Sequence, residues 1–490
     1  MKEEKYKNIF KSTFLFAGVQ VVNILCKVIL NKIIAVVLGP NGIGIIGLYQ
    51  STINSLKTLG DMGISQSAIK DVSEAEIEYD KSRKISIINN IVIGTSIFGG
   101  LLTLVLSPFL SRWVFGNEEH IYSFMAISIV VIFYILGESQ LAILKGIRKL
   151  KDLAKASIFG TLIGSFVGGV LYFFLKEKGI VLALICVSIC YFIFPKIYVY
   201  RLKMKQHEVS FFEVINESKE MLKMGVTLMI TTFLTFFVEF LIRAYILKHS
   251  NLEMVGLFQV GTTILSGYFG IVITALITDY YPRIAAINKK NDLLEEELNK
   301  QIKVGFLLLG PLVVGFVLLM KLFLTLLYSE SFITASDYII FAIFGVLITI
   351  ASNPMDLILV AKSEAKLFLF ICIGYRVIHV FLCIMGFNIA GLSGLGIAFF
   401  ILTIIHFSIM LLVNKYKFKI LLHGSTWLSI LTVFIFALSA VLILKLNLIY
   451  LKFFLGISVF CLTLLYSLYI MKKEMGINVL SFIKKNKLNK

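Results

Sequence analysis

Fourteen apolar runs, each long enough to cross a bilayer, leave this chain few folds to adopt. They read as 12–38, 42–60, 85–111, 121–144, 156–175, 179–200, 224–247, 254–279, 304–328, 337–361, 367–387, 392–413, 425–444 and 451–471. Backbone amides in hydrocarbon must find partners within their own segment, so the runs are helices. A hydrophobic content of 58%, with only 16% charged residues and a mean hydropathy of +0.91, agrees with that reading. The expected fold class is an all-α polytopic membrane protein of about 14 transmembrane helices. The first run is long, lacks a small-residue cleavage site and reads as a retained helix.

A net charge of +18 raises nucleic acid as a partner, but its distribution follows membrane sidedness instead. Of 47 Lys and Arg, 35 fall in the two tails, in the connections after even-numbered segments or, for Lys196, at the end of segment 6. Six (Arg112, Lys176, Lys178, Lys248, Lys445 and, at the start of segment 14, Lys452) fall on the other side, and the other six lie within segments. The positive-inside rule then places both termini in the cytoplasm of a multi-pass protein of the cytoplasmic membrane.

The first helix is apolar yet carries Gln20, Asn23, Lys27 and Asn31 at helical spacing, with Lys32 beside the last. A polar stripe of this kind is expected to face a protein interior or a wet cavity. The helix ends at Leu38-Gly39-Pro40-Asn41-Gly42, a turn signal. Segment 2 continues the theme with Gln50, Asn54, Lys57 and Asp61. Segment 4 holds Glu138, and segment 7 holds Thr231, Thr235, Glu239 and Arg243. Segments 10 and 11 add Asn353, Asp356, Arg376 and His379.

On insertion scales each such charge costs roughly 2.5–3.5 kcal/mol at mid-membrane, so several together require a paired or wet environment. Glu239 and Arg243 can pair along one helix face. Lys57 and Asp61 are expected near the cytoplasmic edge, partly solvated. Deep in the membrane Lys27, Lys32, Arg243 and Arg376 outnumber Glu138, Glu239 and Asp356, so a cavity there would attract an anion such as a diphosphate. His379 and His406 read as isolated buried histidines. The six cysteines lie in apolar runs without metal-ligand neighbours, and no enzyme motif or cofactor site is found.

The chain also repeats itself. Gly47-Leu48-Tyr49-Gln50 is echoed by Gly256-Leu257-Phe258-Gln259, and Gly179-Ile180-Val181-Leu182-Ala183 by Gly394-Leu395-Gly396-Ile397-Ala398. Lys32 and Arg243 precede the first pair of motifs at similar distances. Residues 1–200 are therefore expected to form one six-helix lobe and 224–413 a second. Between them 201–223, where Phe211, Phe212, Ile215 and Leu222 alternate with Glu213, Glu217, Lys219 and Glu220, reads as a cytoplasmic surface helix. Residues 414–490 add two further helices and a basic tail, Lys484-Lys485-Asn486-Lys487, suited to anionic headgroups.

The run from Lys32 to Gly44, with Leu144-Lys145-Gly146-Ile147-Arg148, resembles the Wzx-type flippases of the multidrug/oligosaccharidyl-lipid/polysaccharide exporter superfamily. Val255 to Gln259, Tyr281-Pro282-Arg283-Ile284 and Val360-Ala361-Lys362 extend the likeness over about residues 10–413. Within that group it is similar to O-antigen translocases and lipid III flippases. The resemblance implies two six-helix lobes in a V around a central cavity that opens alternately to each side. It implies an undecaprenyl-diphosphate-linked oligosaccharide as substrate, with membrane lipid, a glycan polymerase and a chain-length regulator as partners. Lys27, Lys32, Arg243, Arg376, Gln50, Gln259 and Asn31 are the expected binding residues. Glu138, Glu239 and Asp356 are the expected ion-coupling residues. Two other readings stand beside it. A multidrug exporter of the same superfamily would show acidic lobes, and a polysaccharide polymerase or ligase would show a large external loop.

Overall fold

The computed structural model describes residues 2–475 except 76 and 206. The Lys484–Lys487 run and the side chains of Gln20, Phe211, Phe212, Ile215, Glu217, Glu220 and Leu222 lie outside what it describes. Among the described residues there is no strand. Eleven helical stretches among the described residues are long and apolar enough to cross a membrane. Three of these run to 40, 51 and 54 residues, far beyond the ~20 a bilayer needs, and each is broken near its middle. The fourteen runs read from hydropathy map onto these eleven stretches.

The chain packs as two compact units. Met1–Gly256 with Leu327–Ser331 form the first, and Leu257–Leu326 with Phe332–Lys490 the second. The first unit is built from α1 (Lys2–Asp61), α2 (Ile64–Glu74), α3 (Glu78–Phe115), α4 (Ile121–Gly146), α5 (Leu150–Leu175), α6 (Ile180–Tyr200), α7 (Phe211–His249) and the start of α8 (Leu252–Thr262). Helix α1 breaks at Gly39, whose φ of 64° suits only glycine comfortably, and Pro40 follows without an amide to donate. In place of a separate surface helix at 201–223, the Ser210 hydroxyl accepts from the Glu213 amide and the Glu213 carboxylate accepts from the Ser210 amide. That capping box starts α7, and no proline stops it before the membrane span. The strand-free stretch before it is held by α3, where Ser82 and Ser86 hydrogen-bond His207 and Arg83 meets Glu213 at 3.1 Å.

The second unit contains the rest of α8, a π-helical turn at 263–269, α9 (Gly270–Ala286), α10 (Asn291–Leu318), α11 (Met320–Leu327), α12 (Ser336–Ala361), α13 (Ala365–Val413), α14 (Gly424–Leu444) and α15 (Ile449–Met475). Helix α13 breaks at Ala390–Gly391, where Gly391 has φ 56°. On either side of the break Gly386 and Gly394 touch backbone to backbone, an approach that any Cβ would block.

The repeat reaches into hydrogen-bond geometry. Helices α4 and α12 are each 26 residues long and end in the same turn, 215 positions apart (362 minus 147). Ile147, Arg148 and Lys149 donate to Ile143, Lys145 and Leu144; Lys362, Ser363 and Glu364 donate to Ile358, Val360 and Leu359. Arg148 and Ser363 share the left-handed φ, 61° and 59°. The same shift carries Gly179 onto Gly394. At the other motif pair, Gln50 bonds Asn54 and Gln259 bonds Thr263, each four residues on. Tyr49 meets Phe124 edge-on, and Phe258 meets Tyr338 likewise.

The two helices beyond the repeat are latched to the second unit by one face of α10. Asn291, Glu295, Asn299 and Lys303, four residues apart, bond the Phe418 carbonyl, the Leu421 amide, the His423 amide and the Glu474 carboxylate in turn. Asn299 is buried, and its amide also donates to the carbonyls of Glu295 and Leu421 and accepts from the Thr426 hydroxyl. Replacing Asn299 by Ala strands these groups and is expected to destabilise the attachment of α14 by roughly 2–4 kcal/mol. Faster proteolytic cleavage within 414–423 reads this out, and unchanged cleavage would contradict the latch.

At the start of α4, Tyr49 Oη lies 2.9 Å from His120 Nδ1, and the imidazole stacks on Phe115. Burial holds His120 below the ordinary imidazole range, with the Glu119 carboxylate opposing it more weakly. The neutral ring is thus the folded form, and its stabilisation is present above ~6.5 and lost as pH falls. The wild-type melting temperature is expected to drop between about pH 7 and about pH 5 more steeply than that of His120→Asn. Equal slopes would refute the assignment.

Candidate functional site

In the first unit the α1 stripe divides on folding. Asn23 donates to Ser157 of α5 at 3.0 Å, Asn31 is half-buried, and Lys27 is exposed. Cys26, Ile29, Leu30 and Ile33 beside them line an apolar crevice of about 400 Å³ against α5. The Lys32 ammonium donates to the carbonyl of Tyr328. The stripe therefore does not confront one common cavity, because a helix presents residues at successive steps of three and four to slowly rotating directions.

Lower on α1, Gln50 is half-buried and engaged with Asn54. Lys57 is not solvated at an edge. Its ammonium sits 2.7 Å from the Glu138 carboxylate, with the Tyr134 ring beside it, and its side chain is only 15% exposed. Asp61, expected to be partly solvated, is buried; its carboxylate accepts from the amide and hydroxyl of Ser65 and turns the chain into α2. Helix α2 itself was not read from the sequence, since eleven residues of mixed character resemble a loop.

Arg243 is 4% exposed and donates to both the carbonyl and the carboxylate of Glu239, at 2.8 and 3.4 Å. The Glu239 carboxylate is 41% exposed, so the pair ends at an open face of the unit. The second unit holds Gln259, half-buried, and Arg376, whose guanidinium lies 5.2 Å from the Tyr375 ring centre. Asp356 accepts from His406 across 3.1 Å, so His406 is not isolated. The two stand 50 residues apart in sequence, and no motif links them. Each acidic residue expected to couple an ion is thus already matched to a cation or an imidazole: Glu138 to Lys57, Glu239 to Arg243, Asp356 to His406.

The motifs that carry the likeness also touch. Gly44 lies against the Leu252 carbonyl and Gly256 against the Pro40 carbonyl, so α1 and α8 cross backbone to backbone where either glycine would reject a side chain. Residues 33–337 match the family model described as polysaccharide biosynthesis protein. The chain belongs to that family. It is 21% identical over 368 residues to the lipid III flippases of Escherichia coli (strain K12) and Shigella flexneri, covering 74% of this chain and 87% of theirs. Among solved structures it is similar to the lipid II flippase MurJ in an inward closed conformation, with TM-score 0.72 and 15% identity over 96% of this chain and all of that one. It is also similar to an inward-facing multidrug resistance MATE transporter of the MOP superfamily, with TM-score 0.65 and 16% identity over 82% and 94%. The fold of this family member is therefore that of the MOP exporters.

Lys57 and Glu138 test whether the interior charges are settled in pairs. Lys57→Met alone leaves a carboxylate stranded, whereas Lys57→Met with Glu138→Gln removes both charges. Losing a fully buried partner costs roughly 3–5 kcal/mol, and with Glu138 33% exposed about 1–3 is expected here. The double variant should recover most of that loss in thermal unfolding, and a double variant as unstable as the single one would contradict the pairing.

Proposed function

We propose that this protein is an alternating-access flippase that carries an undecaprenyl-diphosphate-linked oligosaccharide from the cytoplasmic to the outer leaflet. It acts as a transporter and not as an enzyme. The observation that carries the reading is the cationic surplus within its spans, Lys32, Arg243 and Arg376 beside Lys27, in a chain aligned over 74% of its length with lipid III flippases. A diphosphate entering an apolar bundle loses its hydration, and only charge-assisted hydrogen bonds offset that loss. Arginine supplies a fork of donors, lysine a mobile point charge. Gln50, Gln259 and Asn31 offer amides of the kind sugar hydroxyls need, while the isoprenoid tail stays in hydrocarbon.

Release matters as much as capture. The Glu239 carboxylate shares Arg243 with an incoming phosphate and so limits how tightly the headgroup is held. A multidrug exporter for cations is the weaker reading, because the acidic side chains that would receive a cation are already occupied. The charge bias of the connections supports cytoplasmic termini, and a glycan polymerase and a chain-length regulator are the partners this reading implies.

Lys32→Ala and Arg243→Ala are each expected to lower surface glycan by roughly tenfold or more in cells lacking the native copy, in line with losing ~1.4 kcal/mol or more of headgroup binding. Lipid-linked precursor should accumulate at unchanged protein level. Undiminished glycan in both variants would remove the assigned roles.

A further inference from the structure

Helix α13 does not end cleanly where its apolar run ends at Val413. It winds on into a π-helical turn, Asn414–Phe418, a form that occurs mostly as single turns at functional sites. The Ile420 amide folds back to the Asn414 carbonyl, and Lys419 takes a left-handed φ of 57°. Asn414 is only 1% exposed. Its side-chain amide donates to the Met410 carbonyl at 2.8 Å, which caps the helix. Its side-chain oxygen, Oδ1, is buried and has no hydrogen-bond partner among the described residues. Capping accounts for the amide and leaves the oxygen unexplained. A buried acceptor is costly unless a donor from outside the chain reaches it.

Packing of the frame does not call for this residue. At the shift of 215 positions set by the matching turns, Val199 of α6 stands where Asn414 does (414 minus 199). Val199 packs on the buried cluster of Leu141, Leu144 and Leu153. The same position in the second unit carries an amide instead.

Asn414 lines a cavity of about 290 Å³, at the small end of ligand pockets. Leu298 of α10, Met355 of α12, Leu411 of α13 and Trp427 of α14 give it apolar walls, and Lys415 is the one charged side chain that lines it. None of the residues assigned to the substrate does so. The cavity lies between one apolar stretch ending at Phe418 and another beginning at Gly424, hence at a membrane boundary, where tryptophan is enriched. Neighbouring charges are already engaged. Lys417 meets Glu364 at 2.7 Å, and Glu295 accepts from the Leu421 amide and lies 3.1 Å from the His423 imidazole. Lys415 makes no ion pair among the described residues, and its side chain is exposed.

The ligand must therefore offer an anion to Lys415, a donor to Asn414 Oδ1 and an apolar body to the walls. An ammonium donor would meet the cationic run Lys415, Lys417 and Lys419, whereas a hydroxyl would not. We propose that this cavity binds the headgroup of an anionic, hydroxyl-bearing phospholipid of the phosphatidylglycerol type from the adjoining leaflet. The phosphate accepts from the Lys415 ammonium, and a glycerol hydroxyl donates to Asn414 Oδ1. The acyl chains leave along Leu411 and Trp427. Because the walls come from α10, α12, α13 and α14, the lipid joins α14 to the repeat beside the connection that α10 latches. The site stands whether or not the transport reading does.

The chain has two tryptophans, so Trp113→Phe leaves Trp427 as the single emitter beside the cavity. The full-length protein is placed in phosphatidylcholine bilayers, and brominated phospholipids that quench tryptophan are titrated in. Brominated phosphatidylglycerol is expected to compete for the Trp427 position roughly fivefold or more better than brominated phosphatidylcholine. Brominated phosphatidylethanolamine is expected to match phosphatidylcholine. The preference should fall close to parity in both Asn414→Leu and Lys415→Gln. Lys415→Gln changes an exposed side chain, so it decides the matter even where Asn414→Leu yields no monodisperse protein. A wild-type ratio near one, the sign of annular lipid only, overturns the site. So does a preference that survives either substitution in folded protein, or phosphatidylethanolamine binding as well as phosphatidylglycerol.

Discussion

An ionised side chain in hydrocarbon is expensive, and much of this molecule can be understood from how each one is accommodated. Lys57 and Glu138 neutralise one another, Asp356 is matched by an imidazole, and the Asp61 carboxylate is spent on turning the chain at Ser65. Lys32 rests on a main-chain carbonyl and Arg243 on a carbonyl together with a half-exposed carboxylate. Carbonyl oxygens solvate a cation without cancelling its charge. On the function proposed above, Lys32 and Arg243 are the cations that would meet a diphosphate headgroup.

The backbone obeys the same constraint. Hydrocarbon forbids unpaired amides, so reversals of direction are confined to points where the chain can bend sharply and then resume its helix. Gly39 with Pro40 and Ala390 with Gly391 are such points, and paired glycines at 386 and 394 and at 44 and 256 let main chains approach where side chains would hold them apart. Serine and threonine hydroxyls, such as those of Thr52, Ser55 and Thr103, return to carbonyls three or four residues back and are satisfied within their own helix.

Hydropathy and charge were enough to read the fold class, the spans and the repeat, because these depend on the composition of long segments. The Gly179 and Gly394 pair, noticed as letters, proved to share its register with a turn reproduced hydrogen bond for hydrogen bond. What stayed hidden depends on partners remote in sequence or on main-chain atoms. The α10 latch pairs Asn291, Glu295 and Asn299 with backbone groups of 418–423, which no residue pattern announces. His406 looked solitary because Asp356 lies 50 residues upstream on another helix. The stripe on α1 was legible as a stripe, but where each member points was settled by its neighbours: Ser157 draws Asn23 one way and Tyr328 draws Lys32 another.

The central claim is that the cationic interior recognises the negative charge of a lipid headgroup. Native mass spectrometry of the purified protein with two lipids of equal chain length and equal sugar, one bearing a diphosphate and one lacking it, tests this directly. The account predicts a retained complex with the diphosphate lipid that weakens as ionic strength rises, and little or none with the neutral lipid. Equal retention of both, indifferent to salt, would contradict it.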